Sequence, residues 1–279
     1  MKNIELITIP DGDYTIGSTE TQFEEITDKF PDIDRRLLER EIPQHSVHIA
    51  DFEISKYPVT NLQFREFVDD TGYKTEAEKK GTGFVFTPGF EVIKGADWWH
   101  PQGPETSIKD KDLHPVVQVS WFDAVEFCAW LSHEKESRYR LPSEVEWEAA
   151  ARGNDGRIFP WGNRWDSSIC NSEYRIKDTT PVGQFSPDSD SPFGCADMCG
   201  NVFEWTSTSI GIEDPWPAKY RYPYISDDGR EDMMDKNSRR VGRGGSYSRG
   251  ETYCRCAFRF ADNPSDRYSA QGFRVVREK

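Results

Sequence analysis

The sequence predicts an α+β chain, rich in loops, in which short strands accompany only a few helices. Three observations predict it. Alternating apolar residues mark short strands near the N-terminus, three helix starts carry their own capping residues, and beyond Arg152 Gly, Pro, Asp, Asn and aromatic residues replace any helical period. With 279 residues, 35% of them hydrophobic and 13% aromatic, the chain can bury a full core without a disulfide scaffold. A single domain over 1–279 is expected.

Alternation at Ile4 to Ile9 and Tyr14-Thr-Ile16, interrupted by Pro10-Asp-Gly-Asp13, predicts an opening hairpin whose turn is written by Pro, Asp and Gly. Residues 18–43 are charge-rich. Ile26, Phe30, Ile33, Leu37 and Leu38 fall at helical spacing there, which predicts a short amphipathic helix in an exposed insertion. His45 to Ile49 and Phe52 to Ile54 read as strand. Thr60 then caps a helix that turns Phe64, Phe67 and Val68 inward. Residues 74–112 lack a clear period and predict a long surface connection. His114 to Ser120 reads as a strand, and Ser120 with Asp123 starts a helix whose apolar stripe is Ala124, Phe127, Cys128 and Leu131. Ser143 and Glu146 form a capping box for the next helix. Residues 206–240, rich in Tyr, Pro and Asp, read as a variable insert.

A formal charge of −14 argues against nucleic acid as partner, because phosphate binding draws on basic clusters. No run of about 18 apolar residues suggests a membrane span, and the N-terminus lacks a secretory pattern, so a cytoplasmic location is expected. Six irregularly spaced cysteines read as reduced thiols.

Arg243-Gly-Gly-Ser-Tyr247, Cys254-Arg-Cys-Ala-Phe-Arg259, Gly272-Phe-Arg-Val275, Gly200-Asn-Val-Phe-Glu-Trp205 and Arg140-Leu-Pro-Ser-Glu-Val-Glu-Trp-Glu-Ala-Ala-Ala-Arg152 together carry a resemblance. The chain resembles the formylglycine-generating enzyme family, a variant of the C-type lectin fold. That resemblance implies one compact domain with short, twisted strands. It also implies structural calcium: by position, Asp197, the carbonyls of Gly200 and Val202, and Glu204 match one calcium loop, and Asn171-Ser172, with Asp178 downstream, match the start of a second. The family's oxidases are understood to hold copper between two cysteines about five residues apart and to use oxygen to remove hydrogen from a substrate cysteine. Here Ser246, Tyr253 and Cys254 match catalytic positions, but Arg249 stands at the first cysteine and cannot ligate a soft metal. The formylglycine reaction itself is therefore not expected. Whether copper or iron serves as a redox metal stays open.

Other sulfur arrangements are conceivable. Cys254 and Cys256 would share a face if they lay on a strand, and Cys195, Cys199, Cys254 and Cys256 add to the four sulfurs of a zinc site. Ergothioneine-type relatives take iron histidines from an additional helical domain for which this chain has no room.

Two readings of function remain. In one, the chain is a metal- and oxygen-dependent oxidoreductase that does not activate sulfatases. In the other, it is a non-catalytic ligand-binding or display protein, similar to the variable proteins of diversity-generating retroelements. In both, Ser248, Arg249, Glu251, Phe258, Phe260, Asp262 and Tyr268 are candidate ligand contacts, and Arg249, Tyr253, Phe258, Phe260 and Tyr268 are expected on one exposed face. The ligand would be a small molecule, peptide or protein.

Overall fold

The computed structural model describes residues 4–86, 89–212 and 217–278. Each of the six α-helices among them starts on a side chain that caps its first turn. They are α1 (Glu20–Lys29, capped by Thr19), α2 (Arg35–Glu39, Asp34), α3 (Asn61–Thr71, Thr60), α4 (Glu76–Lys80, Thr75), α5 (Trp121–Lys135, Ser120) and α6 (Glu144–Arg152, Ser143). The caps predicted from sequence at Thr60, Ser120 and Ser143 are present, and in all three, as predicted for Ser143, the third residue of the helix reaches back to the cap.

Among the described residues the strands form two four-stranded sheets and two two-stranded ones. The first is antiparallel and orders Leu6–Ile9, Phe52–Ser55, Val276–Arg277 and Tyr139–Arg140, so the two ends of the chain meet in it. The second orders Phe260–Asp262, Arg239–Arg243, Phe203–Gly211 and Gln271–Phe273, with the last pair parallel. One aromatic core joins α3 to α5 through Phe64, Phe67, Phe127 and Phe273. Another packs α6 against the N-terminal strands through Val145, Trp147, Tyr14 and Ile54.

Several expectations are corrected. The first two strands do not pair with each other: Leu6–Ile9 pairs with Phe52–Ser55, and Gly12–Ile16 with His45–Ile49. Residues 18–43 hold two helices instead of one, because Pro31 interrupts the period and Asp34 caps a new start. Nor is this segment merely exposed, since Phe23, Leu38 and Glu41 are buried. The 74–112 connection contains α4 and the hairpin of Thr82–Phe86 with Phe90–Lys94, and it buries Trp98. His114 to Ser120 makes only a bridge at Pro115, and Gln118 has a φ of 59°, so no strand forms there. The strand starting at Phe203 runs through Gly211, fully buried, into the segment read as an insert.

The motif arginines are core residues. Arg259 grips Glu144 with two bonds of 2.6 and 2.7 Å, Arg243 reaches Glu148 at 2.8 Å, and all four side chains have no exposure. Arg152 also pairs with Glu148, and Arg255 pairs with Glu41, which ties the 18–43 segment to the C-terminal block. Glu144 and Glu148 lie one turn apart on α6, so the helix presents two carboxylates to these guanidinium groups. Burial pushes the Glu144 carboxyl upward, but Arg259 and Arg243 outweigh it and hold it below the usual carboxylate range.

Candidate functional site

Gly200 and Gly245 place the site because both need left-handed backbone and close approach. Gly200 has a φ of 81°, and a Cβ there would sit 2.4 Å from the Asn171 carbonyl oxygen; one at Gly245 would meet the Cys254 sulfur at 2.5 Å. The Asn201 amide donates to the Asn171 carbonyl, and the Tyr247 amide donates to that of Asn201. Three remote segments are thereby drawn together. Each carries a cysteine, and Cys170, Cys199 and Cys254 form one buried cluster against Phe159, with Trp161 and Trp165 packed beside it.

Within the cluster Cys199 packs with Cys170 and Cys254. Burial, followed by the two neighbouring sulfurs, pushes its thiol well above the ordinary range. Cys199 has the opposite effect on Cys170, whose thiol is lowered despite burial and which also bonds Ser172 Oγ at 3.3 Å. The Cys254 thiol donates to the Arg249 carbonyl at 3.7 Å.

Cys254 and Cys256 do not make a pair. The chain at Cys254 follows a 3₁₀ turn, Glu251–Tyr253, and no strand runs there, so the face-sharing premise fails. Cys256 and Cys195 belong to the separate core around Trp147, where burial pushes their thiols up to about 12 and about 11. The four-sulfur zinc arrangement therefore does not assemble. Cys170, which sequence spacing did not point to, is the missed member; its adjacency to Asn171 was the available signal.

The candidate ligand residues divide. Arg249 lies over the rings of Phe86 and Tyr253 at 4.9 and 5.1 Å, and Phe86 stacks on Tyr268. Tyr268 bonds Asp262, whose carboxyl is raised to about 7, chiefly by desolvation and then by Asp266. Ser248 meets Ser246, itself fully buried, at 3.0 Å. The exposed face is corrected: Phe258 is 0% exposed and Tyr268 7%, so both rings are packing residues. Phe260 stacks on Phe203, and Glu251 turns away to pair with Lys29 at 2.7 Å. That pair lines a cavity of about 200 Å³ beneath α1, whose wall includes Ile158 and Phe159 of the thiol cluster.

At the expected calcium loop, Asp197 is buried and accepts from the Gly183 amide at 2.6 Å; desolvation raises its carboxyl to about 6. Gly200 and Val202 are buried beside it. Glu204 is taken by Arg274 at 2.6 and 2.8 Å and by the Trp147 indole at 2.7 Å. In the second loop Asn171 Oδ1 is buried without a partner, Ser172 is buried, and Asp178 is bound by Lys111 at 2.7 Å. Among the described residues no group of three or more His, Cys, Asp or Glu side chains is arranged to hold a metal ion. Among them, too, no helix is long and apolar enough to cross a membrane.

With this geometry in place, comparison with known proteins is informative. Formylglycine-generating enzyme from Mus musculus is 33% identical over 308 residues, covering 98% of this chain and 74% of its own. The structure of PvdO from Pseudomonas aeruginosa shares 28% identity at a TM-score of 0.72, covering 98% of this chain and 94% of that one. Treponema denticola variable protein 1, at 18% identity and a TM-score of 0.66 with 98% and 95% covered, shares the fold. The family described as the sulfatase-modifying factor enzyme 1-like domain matches residues 1–279, and the chain belongs to that family.

Proposed function

We propose that the chain is an oxygen-dependent oxidoreductase whose reaction centre is the Cys254 thiol cluster, distinct from a sulfatase-activating oxidase. The observation that carries this reading is the convergence of Cys170, Cys199 and Cys254 beside Arg249. Arg249 removes the family-spaced copper cysteine, yet Cys199 brings a sulfur to Cys254 from another segment. Two thiolates suit a cuprous ion, a soft metal that accepts few ligands. Cys199 and Cys254 would hold the ion, which supplies electron exchange with dioxygen. Cys170 packs in the same cluster as a third sulfur beside them. Tyr253, packed between Phe258 and Arg249, orients the latter.

Copper-loaded protein supplied with dithiothreitol should consume oxygen, two thiols giving two electrons and two protons to O₂ to leave a disulfide and hydrogen peroxide. On a sulfatase-type cysteine peptide it should form no aldehyde. Aldehyde formation, or uptake no faster than with copper-loaded Cys254→Ala protein, contradicts the reading.

We also propose a structural calcium ion at Asp197 with the carbonyls of Gly200 and Val202. Support comes from the Asp197 carboxylate, which is buried and, among the described residues, is hydrogen-bonded by the Gly183 amide with no ion pair. Chelator should lower the melting temperature, and Asp197→Asn should remove that shift. Glu204→Gln is the poorer test, because it also disrupts the pair with Arg274. Equal melting temperatures with calcium and with chelator refute the assignment.

A further inference from the structure

We infer that Arg249 is a binding site for a carboxylate carried on a flat, apolar ligand. The inference rests on the reading of this face as the substrate side of the Cys254 site. Arg243, Arg255, Arg259 and Arg274, from the same C-terminal block, are each tied to a carboxylate. Arg249 differs. It is half-buried, its Nε is buried without a partner, and among the described residues its guanidinium makes no hydrogen bond or ion pair.

What holds it is aromatic, the rings of Phe86 and Tyr253. Ring contacts stabilise a guanidinium but leave its N–H donors unsatisfied, and a buried donor without an acceptor is costly. Arg240 and Arg267 also lack a carboxylate, but backbone carbonyls accept from their guanidinium donors, as none does from Arg249 among the described residues. A planar carboxylate matches the donor fork of arginine and would complete it.

The neighbouring surface specifies the rest of the ligand. Phe86 stacks on Tyr268, which packs with Phe84 and, edge-on, with Phe90; Phe90 is 58% exposed. The buried Phe86 and Tyr268 rings support Phe90 from beneath, and an aromatic body attached to the carboxylate would cover the exposed Phe90 ring. A peptide ending in an aromatic residue and a free aryl acid share this chemistry.

N-acetylphenylalanine, its neutral amide and a short peptide ending in phenylalanine are the probes, followed by chemical-shift titration of the full chain. The acid should bind saturably and the amide at least about tenfold more weakly, one order of magnitude being the least a charge-assisted pair contributes. Arg249→Met should erase this discrimination at an unchanged melting temperature, while Arg249→Lys retains part of it. If the peptide binds more tightly than the free acid, the source is a chain terminus; the reverse order identifies a small acid. Equal binding of acid and amide, discrimination that survives in Arg249→Met, or no saturable binding of either carboxylate overturns the inference. Copper binding by Arg249→Met and acid binding by Cys254→Ala are measured alongside, so that failure of the carboxylate site and failure of the thiol centre are told apart.

Discussion

Replacing Glu144 by alanine is expected to destabilise the protein by about 3–5 kcal/mol, the range for removing one partner of a buried ion pair. Glu144 accepts from both Arg259 and Arg243 at zero exposure, and the Tyr222 hydroxyl bonds it at 3.3 Å. Alanine would leave Arg259 buried with no carboxylate and Arg243 with only Glu148. Urea titration of wild type and variant measures the difference. The pH dependence has a definite sign. A carboxyl held below its ordinary value of 4.5 contributes stability that is fully present above that pH and is lost as pH falls through the folded value. The acid limb of the stability curve should therefore flatten in Glu144→Ala. A loss under about 1 kcal/mol would show that the network contributes little.

Cys254→Ala should reduce oxygen uptake by the copper-loaded protein more than about 100-fold. Losing a partner outside a metal's coordination shell already costs about 10–100-fold, and a direct sulfur donor contributes more. Folding should suffer little, about 1 kcal/mol, as for an ordinary buried truncation. Cys199→Ala should behave like Cys254→Ala. Cys256→Ala is the control, because its sulfur lies in the separate core around Trp147 and uptake should not change. Equal losses in Cys254→Ala and Cys256→Ala would mean that damage to the fold, not to a thiol centre, is being read.

Helix starts were legible because a capping box is written within four residues: Thr60 with Gln63, Ser120 with Asp123, Ser143 with Glu146. Strand pairing was not. Pro10-Asp-Gly-Asp13 carries turn chemistry, but each flanking strand pairs with a remote one, Leu6 with Ser55 and Ile16 with His45 at the ends, and local sequence carries no register for it. The site was half legible for a similar reason. Cys254 and Arg249 announce themselves within one motif, whereas Cys170 and Cys199 reach Cys254 only because Gly200 and Gly245 let three loops touch. The arginines of the C-terminal block were visible as residues and hidden as core. Glu144 and Glu148, one turn apart among Val, Trp and Ala on α6, were the signal that buried cations had to exist.

If Cys199 supplies to Cys254 the sulfur that Arg249 removes, anaerobic competition of wild type, Cys199→Ala and Arg249→Ala against a cuprous chelator should show one tightly held copper in the wild type, retained in Arg249→Ala and lost in Cys199→Ala. Affinity unchanged in Cys199→Ala, or a wild type that yields all its copper to the chelator, would contradict it.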